Sequence, residues 1–359
     1  MTTHMDYSPQ LSNLIETVVS QNASALHITV GRHPAIRIAG ELIVLTKEEV
    51  ITPEVAEGLA EVMLFSNEEK KRFAETRELD FSYSYESKAR FRVNIFRQRG
   101  MAGIAMRVVP AKIRTLEELN LPSVLLDFAR KKQGFFLVVG PTGHGKTTTL
   151  VALVDFINHE RAEHIITIED PIEYLFNSDR SIVDQREVRT DTMSFAAALR
   201  SLFREDVNVG MIGEMRDYET MATAVTAAET GHLIFSSLHT NNASQTIDRI
   251  IDSFPAGQQN QIRAQLSNSL LGVFSQRLLP RQSGGRIPAY ELMIVNSAVR
   301  NLIRENKIHE IDLVIDTSSR EGMVSLNRSL LDLVRIGEVS MEVAANYSLN
   351  PQEFQLLAR

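Results

Sequence analysis

Near the start of the chain, Leu11, Leu14, Ile15, Val18 and Val19 recur at helical spacing, which predicts a helix over residues 8–21. The runs ALHITVG and PAIRIAGELIVL follow, rich in strand-forming residues and set around Gly31 and Gly40, and read as short strands joined by turns. Residues 53–76 return to a helical period. LDFSYSYE then alternates apolar and polar, as a half-buried strand does, and ARFRVNIFRQRG and GIAMRVVP carry the strands on to Pro110. The pattern predicts an α+β unit over residues 1–109.

A charged connector, AKIRTLEELNLP, predicts a linker over residues 110–120. Beyond it lie a helix around VLLDFARKK and a short apolar strand, FFLVVG, after Gly134. The helical stretch TTTLVALVDFINHE comes next. The theme recurs: HIITIED, VGMIGE and HLIFSSLH are apolar runs ending in polar residues, with helical stretches between them. A sheet covered by helices on both faces satisfies this order, and ligands in such sheets gather at the carboxyl ends of the strands. The core is expected over residues 121–290, and residues 291–359 read as a mainly helical tail that includes SAVRNLIRENK and MVSLNRSLLDLVRIGEVS.

Candidate chemistry sits at those strand ends. GPTGHGKTT spans Gly140, Pro141, Thr142, Gly143, His144, Gly145, Lys146, Thr147 and Thr148 and fits G-x-x-x-x-G-K-[ST] between a strand and a helix. Glycines let the backbone curl so that its N–H groups face a phosphate, and the helix adds its positive end. Lys146 is expected to reach the β- and γ-phosphates, and the Thr147 hydroxyl to hold Mg²⁺. His144 is expected to face solvent. ITIEDPIEY offers Glu169, Asp170 and Glu173 as carboxylates, one of which would orient or deprotonate the attacking water. In VGMIGEMRD, Glu214 would act on the metal or its water shell, with Gly213 where an aspartate is usual, and Arg216 and Asp217 are candidates for a local pair. His232 and His239 flank HLIFSSL; their spacing fits no zinc pattern, and they read as sensors of the phosphate end of the nucleotide.

Composition narrows the field. The 359 residues are 43% hydrophobic with a net charge of -7, a poor electrostatic match to nucleic acid. Cysteine is absent, which excludes disulfides and thiolate zinc sites. The opening MTTHMDYSPQ lacks the basic run and apolar core of a secretory leader, and no uncharged apolar run is long enough for a membrane span.

The four motifs GPTGHGKTT, TIEDPIEY, GEMRD and GHLIFSSLHT, in this order, resemble those of the type II/IV secretion ATPase superfamily, and within it the type IV pilus retraction ATPases. ALHITVGRHPAIRIAGEL, FPAGQQNQIRAQLS and SQRLLP extend the resemblance over nearly the whole chain, and SAVRNLIRENK is similar to a stretch associated with retraction. The resemblance implies an α/β fold: a PAS-like N-terminal α+β domain, a RecA-like P-loop NTPase core and a helical C-terminal region. It implies a homohexamer that binds ATP and Mg²⁺ between the domains, close to a neighbouring subunit. By the same resemblance Glu173 is the general base, Glu214 the Walker B glutamate, and His239 and His232 belong to the histidine box. Arg92, Arg99 and Arg107, set among apolar residues in the first domain, are the candidates for arginines that reach phosphate. Implied partners are an inner-membrane pilus platform protein and a paralogous retraction ATPase, for a cytoplasmic protein peripherally attached at the pilus base.

The chain departs from the family pattern at Val207 and Asn208, at Gly210 inside a strand, and at His144 in place of a small serine. Glycine at 210 is expected to weaken its strand by about 0.5–1 kcal/mol. Related readings are an accessory retraction ATPase and an extension or type II secretion motor. Motors of the latter kind usually carry a further N-terminal domain and often a four-cysteine zinc insert. A nucleic-acid translocase is the reading from a different class, and the acidic balance argues against it.

Overall fold

The computed structural model describes residues 6–358 apart from 39, 87 and 111. Residues 1–5, part of the stretch read as lacking a secretory leader, and Ala111 of the connector lie outside the described residues. The chain forms two compact units, Met1–Lys112 with Pro171–Leu175, and Ile113–Asp170 with Phe176–Arg359.

In the first unit, helix α1 (Ser8–Ser20) is followed by strands β1 (Ala25–Thr29), β2 (Ala35–Ile38) and β3 (Glu41–Val44). Helices α2 (Pro53–Met63) and α3 (Asn67–Thr76) lead into β4 (Glu78–Tyr85), β5 (Ala89–Gln98) and β6 (Met101–Val109). The strands make an antiparallel sheet in the order β3-β2-β1-β6-β5-β4. Its apolar face, with Leu26, Ile36, Phe81, Val93 and Met106, packs with Leu14 and Ile15 of α1 and Leu59 of α2 into one core.

The helical period over residues 53–76 hides a break. Ser66 accepts the Glu69 amide at 3.1 Å while the Glu69 carboxylate accepts the Ser66 amide at 2.9 Å. This reciprocal cap starts a new helix and ends the old one at Met63.

The second unit opens with α4 (Leu125–Ala129), β7 (Gly134–Val139), α5 (Lys146–Glu160), β8 (His164–Glu169) and β9 (Ile182–Glu187). It continues through α6 (Phe195–Leu202), β10 (Val209–Ile212), α7 (Tyr218–Glu229), β11 (Leu233–Leu238) and α8 (Ala243–Asp252). Helix α9 (Gln259–Ser269) runs into β12 (Leu270–Pro280) and β13 (Arg286–Ile294). The end is helical: α10 (Ser297–Arg304), α11 (Ile311–Thr317), α12 (Leu326–Arg335), α13 (Met341–Tyr347) and α14 (Pro351–Leu357). The sheet order is β13-β12-β7-β11-β10-β8-β9, parallel except for the edge strand β13. Every residue of β7, β10 and β11 is buried, as parallel strands covered on both faces require. This is the RecA-like P-loop arrangement.

One feature differs from the sequence expectation and another adds to it. Residues 291–294, expected in the helical tail, complete β13, where Glu291 stands opposite Ser275 of β12. Gly210 also has a packing reason beyond the expected weakening: a Cβ there would come within 2.9 Å of Ile234 Cδ1 and 3.2 Å of Leu202 Cδ1, so side chains from β11 and α6 fill its place. The neighbouring departure, Asn208, is also put to use, since its side-chain oxygen accepts the His164 amide at 2.8 Å at the start of β8.

Candidate nucleotide-binding site

The buried strand β7 delivers the chain into the glycine-rich loop, and α5 leaves it at Lys146. Gly143 and Gly145 sit in the left-handed region, and Gly145 at the N-cap of α5 offers no side chain to its amides, which leaves that helix end to an anion. Gly140 answers a different need. A Cβ there would stand 2.3 Å from the main-chain oxygen of Gln276, so only glycine lets the loop lie against β12.

Lys146 is 7% exposed. Its ammonium donates to the carbonyls of Gly140 at 2.9 Å and Pro141 at 3.0 Å, which folds the side chain over the loop where a phosphate would lie. Thr147 and Thr148 follow in the first turn of α5. Thr149 donates to the side-chain oxygen of Gln276 at 2.7 Å, and the Gln276 amide group donates to the His144 carbonyl at 2.8 Å. The loop is thus fastened to β12 through Gln276, a residue that no motif singled out.

His144 does not face solvent as expected. It is half-buried, and its Nδ1 accepts the main-chain N–H of Leu278 at 2.8 Å. Burial pushes its pKa down, and Arg277, Lys146 and Arg286 push it further the same way.

At the end of β10, Glu214 pairs with Arg216 and, at 3.1 Å, with Nε2 of His239. Nδ1 of the same imidazole lies 3.2 Å from Thr142 Oγ1 and 3.4 Å from the Lys146 ammonium. His239 therefore links the carboxylate after β10 to the phosphate loop. The expected Arg216–Asp217 pair does not form: Asp217 caps α7 instead, accepting the Thr220 amide at 2.8 Å and its hydroxyl at 2.9 Å.

His232 is not brought to the loop. It precedes β11, while His239 follows that strand, and its Nδ1 lies 3.0 Å from the Ala227 carbonyl at the end of α7, with the ring edge-on to Phe203. Six strand residues, about 20 Å, separate the two ends of β11.

Of the acidic candidates after β8, Glu169 is 3% exposed and accepts the Thr167 hydroxyl at 2.7 Å and the Gln185 amide group at 3.2 Å, a tightly held structural setting. Glu173 belongs to the short segment grouped with the first unit, where Arg92 donates to it at 2.9 Å, and the pair keeps about a third of its side-chain surface in solvent. Arg92 stands opposite Arg107 across β5 and β6, and Arg107 opposite Ala25 of β1. Arg99 is not on a strand. It sits at positive φ in the β5–β6 turn, beside a cavity of about 480 Å³ lined also by Arg77 and Arg97.

Comparison with known proteins follows the same lines. The sequence profile of the family described as "Type II/IV secretion system protein" matches residues 4–344. The chain is 42% identical over 344 residues to the type IV pilus retractation ATPase PilT of Pseudomonas aeruginosa, covering 96% of this chain and 99% of that protein. It is 38% identical over 352 residues to the type IV pilus ATPase PilU of the same organism, with 98% and 91% covered. The crystal structure of the pilus retraction motor PilT with bound ADP superposes with a TM-score of 0.89 at 43% identity, covering 96% of this chain and 98% of that one.

Proposed function

We propose, from the premise that this chain belongs to the type II/IV secretion system protein family, that it is the ATP-hydrolysing motor that powers retraction of type IV pili. The similarity to PilT supports the retraction part of the reading, and the observation that carries its nucleotide part is the bridge made by His239 between Glu214 and the phosphate loop at Thr142, beside the buried ammonium of Lys146. That arrangement can bind a polyphosphate and register the state of its terminal group.

The residues present fit ATP and Mg²⁺. The left-handed glycines and the N-terminus of α5 form an anion cradle, and Lys146 would exchange its carbonyl contacts for the β- and γ-phosphates. The Thr147 hydroxyl and the Glu214 carboxylate are oxygen donors of the kind Mg²⁺ takes while keeping several waters. When bound, Mg²⁺ neutralises charge on the phosphates. Glu173 accepts the proton of the attacking water, and its partial exposure suits that role where the enclosed Glu169 does not. Arg92, Arg99 and Arg107 are the cations proposed to offset charge on a nucleotide held by a neighbouring subunit.

The assembly that goes with this reading is a homohexamer, cytoplasmic and peripherally attached to an inner-membrane pilus platform protein, with a paralogous retraction ATPase as a further partner. Among the described residues no helix is long and apolar enough to cross a membrane. The similarity to PilU supports an accessory retraction motor as the second reading.

The test is twofold. Purified protein should hydrolyse ATP, and deletion of its gene should leave cells with more surface pili than the parent. Cells without pili would replace retraction by extension.

A further inference from the structure

The segment between β11 and α8 carries His239, and the β12–β13 hairpin holds it at Asn241 and at Ala243, the first residue of α8. Ser275 of β12 donates to the Asn241 carbonyl at 2.8 Å, and Arg277 donates to the Asn241 side-chain oxygen at 3.1 Å. Asn242 caps α8 by accepting the Gln245 amide at 2.9 Å. The next amide, that of Ala243, is fully buried and donates at 2.8 Å to Oε1 of Glu291.

Glu291 is 8% exposed in the middle of a strand. Arg277 faces it from β12, Asp312 and Asp316 act on it from α11, and its pKa is raised to about 7, chiefly by burial. A strand position so enclosed gains more from an apolar side chain than from an acid, so the acid's bond to Ala243 needs another account. The same hairpin supplies it. Gln276, between Ser275 and Arg277, holds the phosphate loop through His144 and Thr149. One pair of strands therefore fastens both the phosphate loop and the segment that carries His239.

We propose that Glu291 is a positioning residue for His239: by holding the first amide of α8 it sets the path of residues 240–242 and so the place of the imidazole between Glu214 and Thr142. The consequence for turnover rests on the reading of His239 as the group that registers the phosphate end. Asp312 adds a second tie to the same turn, accepting the Ser244 hydroxyl, and it connects that turn to α11, just after the tail helix α10.

The test compares Glu291→Met, which keeps the volume but has no acceptor, with Glu291→Gln, which keeps an acceptor oxygen and no charge. The full chain is labelled with ¹³C-histidine, and the His239 signal, assigned by its loss in His239→Ala, is followed without nucleotide. ATP turnover and ADP affinity are measured beside it. Glu291→Met should displace the His239 signal and lower kcat by about 10–100-fold, with ADP affinity nearly unchanged. Glu291→Gln should restore both. A purely structural role would move melting temperature and leave the signal and kcat alone, and that result overturns the proposal. If Glu291→Met does not fold, Glu291→Asp, one methylene too short to reach Ala243, is read the same way. Wild-type turnover in His239→Ala would defeat the reading of His239 as a phosphate sensor, and the histidine signal would still decide whether Glu291 places it.

Discussion

Nδ1 of His144 accepts the main-chain N–H of Leu278 at 2.8 Å, so the imidazole in the phosphate loop has to be neutral at that nitrogen. Its pKa is pushed down, which fixes the sign of the pH effect. The neutral form is favoured in the folded protein, the tie is intact above the ordinary histidine pKa of about 6.5, and it is lost as pH falls through the lower folded value. One hydrogen bond is worth about 0.5–1.5 kcal/mol, or roughly 2–10-fold in affinity. As pH falls from 7.5 through that lower folded value, ADP affinity of the wild type should fall by that factor more than that of His144→Ser. Parallel titrations with a fluorescent nucleotide measure it, and identical pH curves would remove His144 from loop positioning.

Lys146 donates to two carbonyls of its own loop, so its side chain already lies inside the anion cradle. Lys146→Ala removes that charge and leaves the Gly140 and Pro141 carbonyls facing the phosphates. Nucleotide affinity should drop by about 10²-fold or more, and calorimetric titration with ADP is the measurement. Unchanged affinity would mean that phosphates bind elsewhere.

Glu173→Gln keeps a group that Arg92 can still contact through its side-chain oxygen, but it cannot take a proton. Binding should persist while hydrolysis falls by roughly 10²–10⁴-fold. Single-turnover kinetics beside a binding titration separates the two. A rate near wild type would transfer the role of base to another carboxylate.

What could be read from the sequence follows the range of the interactions. The phosphate loop is local, and its strand and helix flank it in the chain, so its residues were legible at once. Glu214 and His239 end neighbouring parallel strands, and an apolar run ending in a polar residue marks each. The tie between them depends on β10 lying beside β11, which no local pattern states. Gln276 and Glu291 were missed for the same reason: each looks like an ordinary polar residue on a strand, and its partner lies in a distant part of the chain. Two local signals were present but overshadowed. Ser66 and Glu69 have capping-box spacing within a run of helical period, and Asp217 stands as an N-cap before an apolar helical run.

Glu291 also makes a prediction for stability. Its folded pKa of about 7 lies above the ordinary glutamate value, so its contribution is fully present below about pH 4.5 and lost as pH rises through 7. The difference corresponds to about 3 kcal/mol between those limits. Glu291→Gln carries no charge at any pH. Its melting temperature relative to wild type should therefore rise between pH 5 and pH 8, by a few degrees at about 1–2 °C per kcal/mol for a chain of this length. Calorimetry across that range checks it, and a constant difference would mean that Glu291 does not titrate there.

The tail helix α10 separates turnover from work. Val299 and Ile303 are buried, whereas Arg304 is exposed and its guanidinium donates along its own helix, to Asn301 at 2.7 Å. Truncating Arg304 thus removes no core contact and no group of the nucleotide site, and a change at such a surface position is worth less than about 0.5 kcal/mol in stability. If α10 couples hydrolysis to retraction, Arg304→Ala should leave the ATPase rate of the purified protein largely intact while surface pili accumulate and twitching movement declines. The two measurements have to be made on the same variant, since a fall in both would point to damage in the motor core. Normal rate with normal pilus number would show that α10 is a packing helix, and the coupling element would then have to be sought on another exposed face of the second unit.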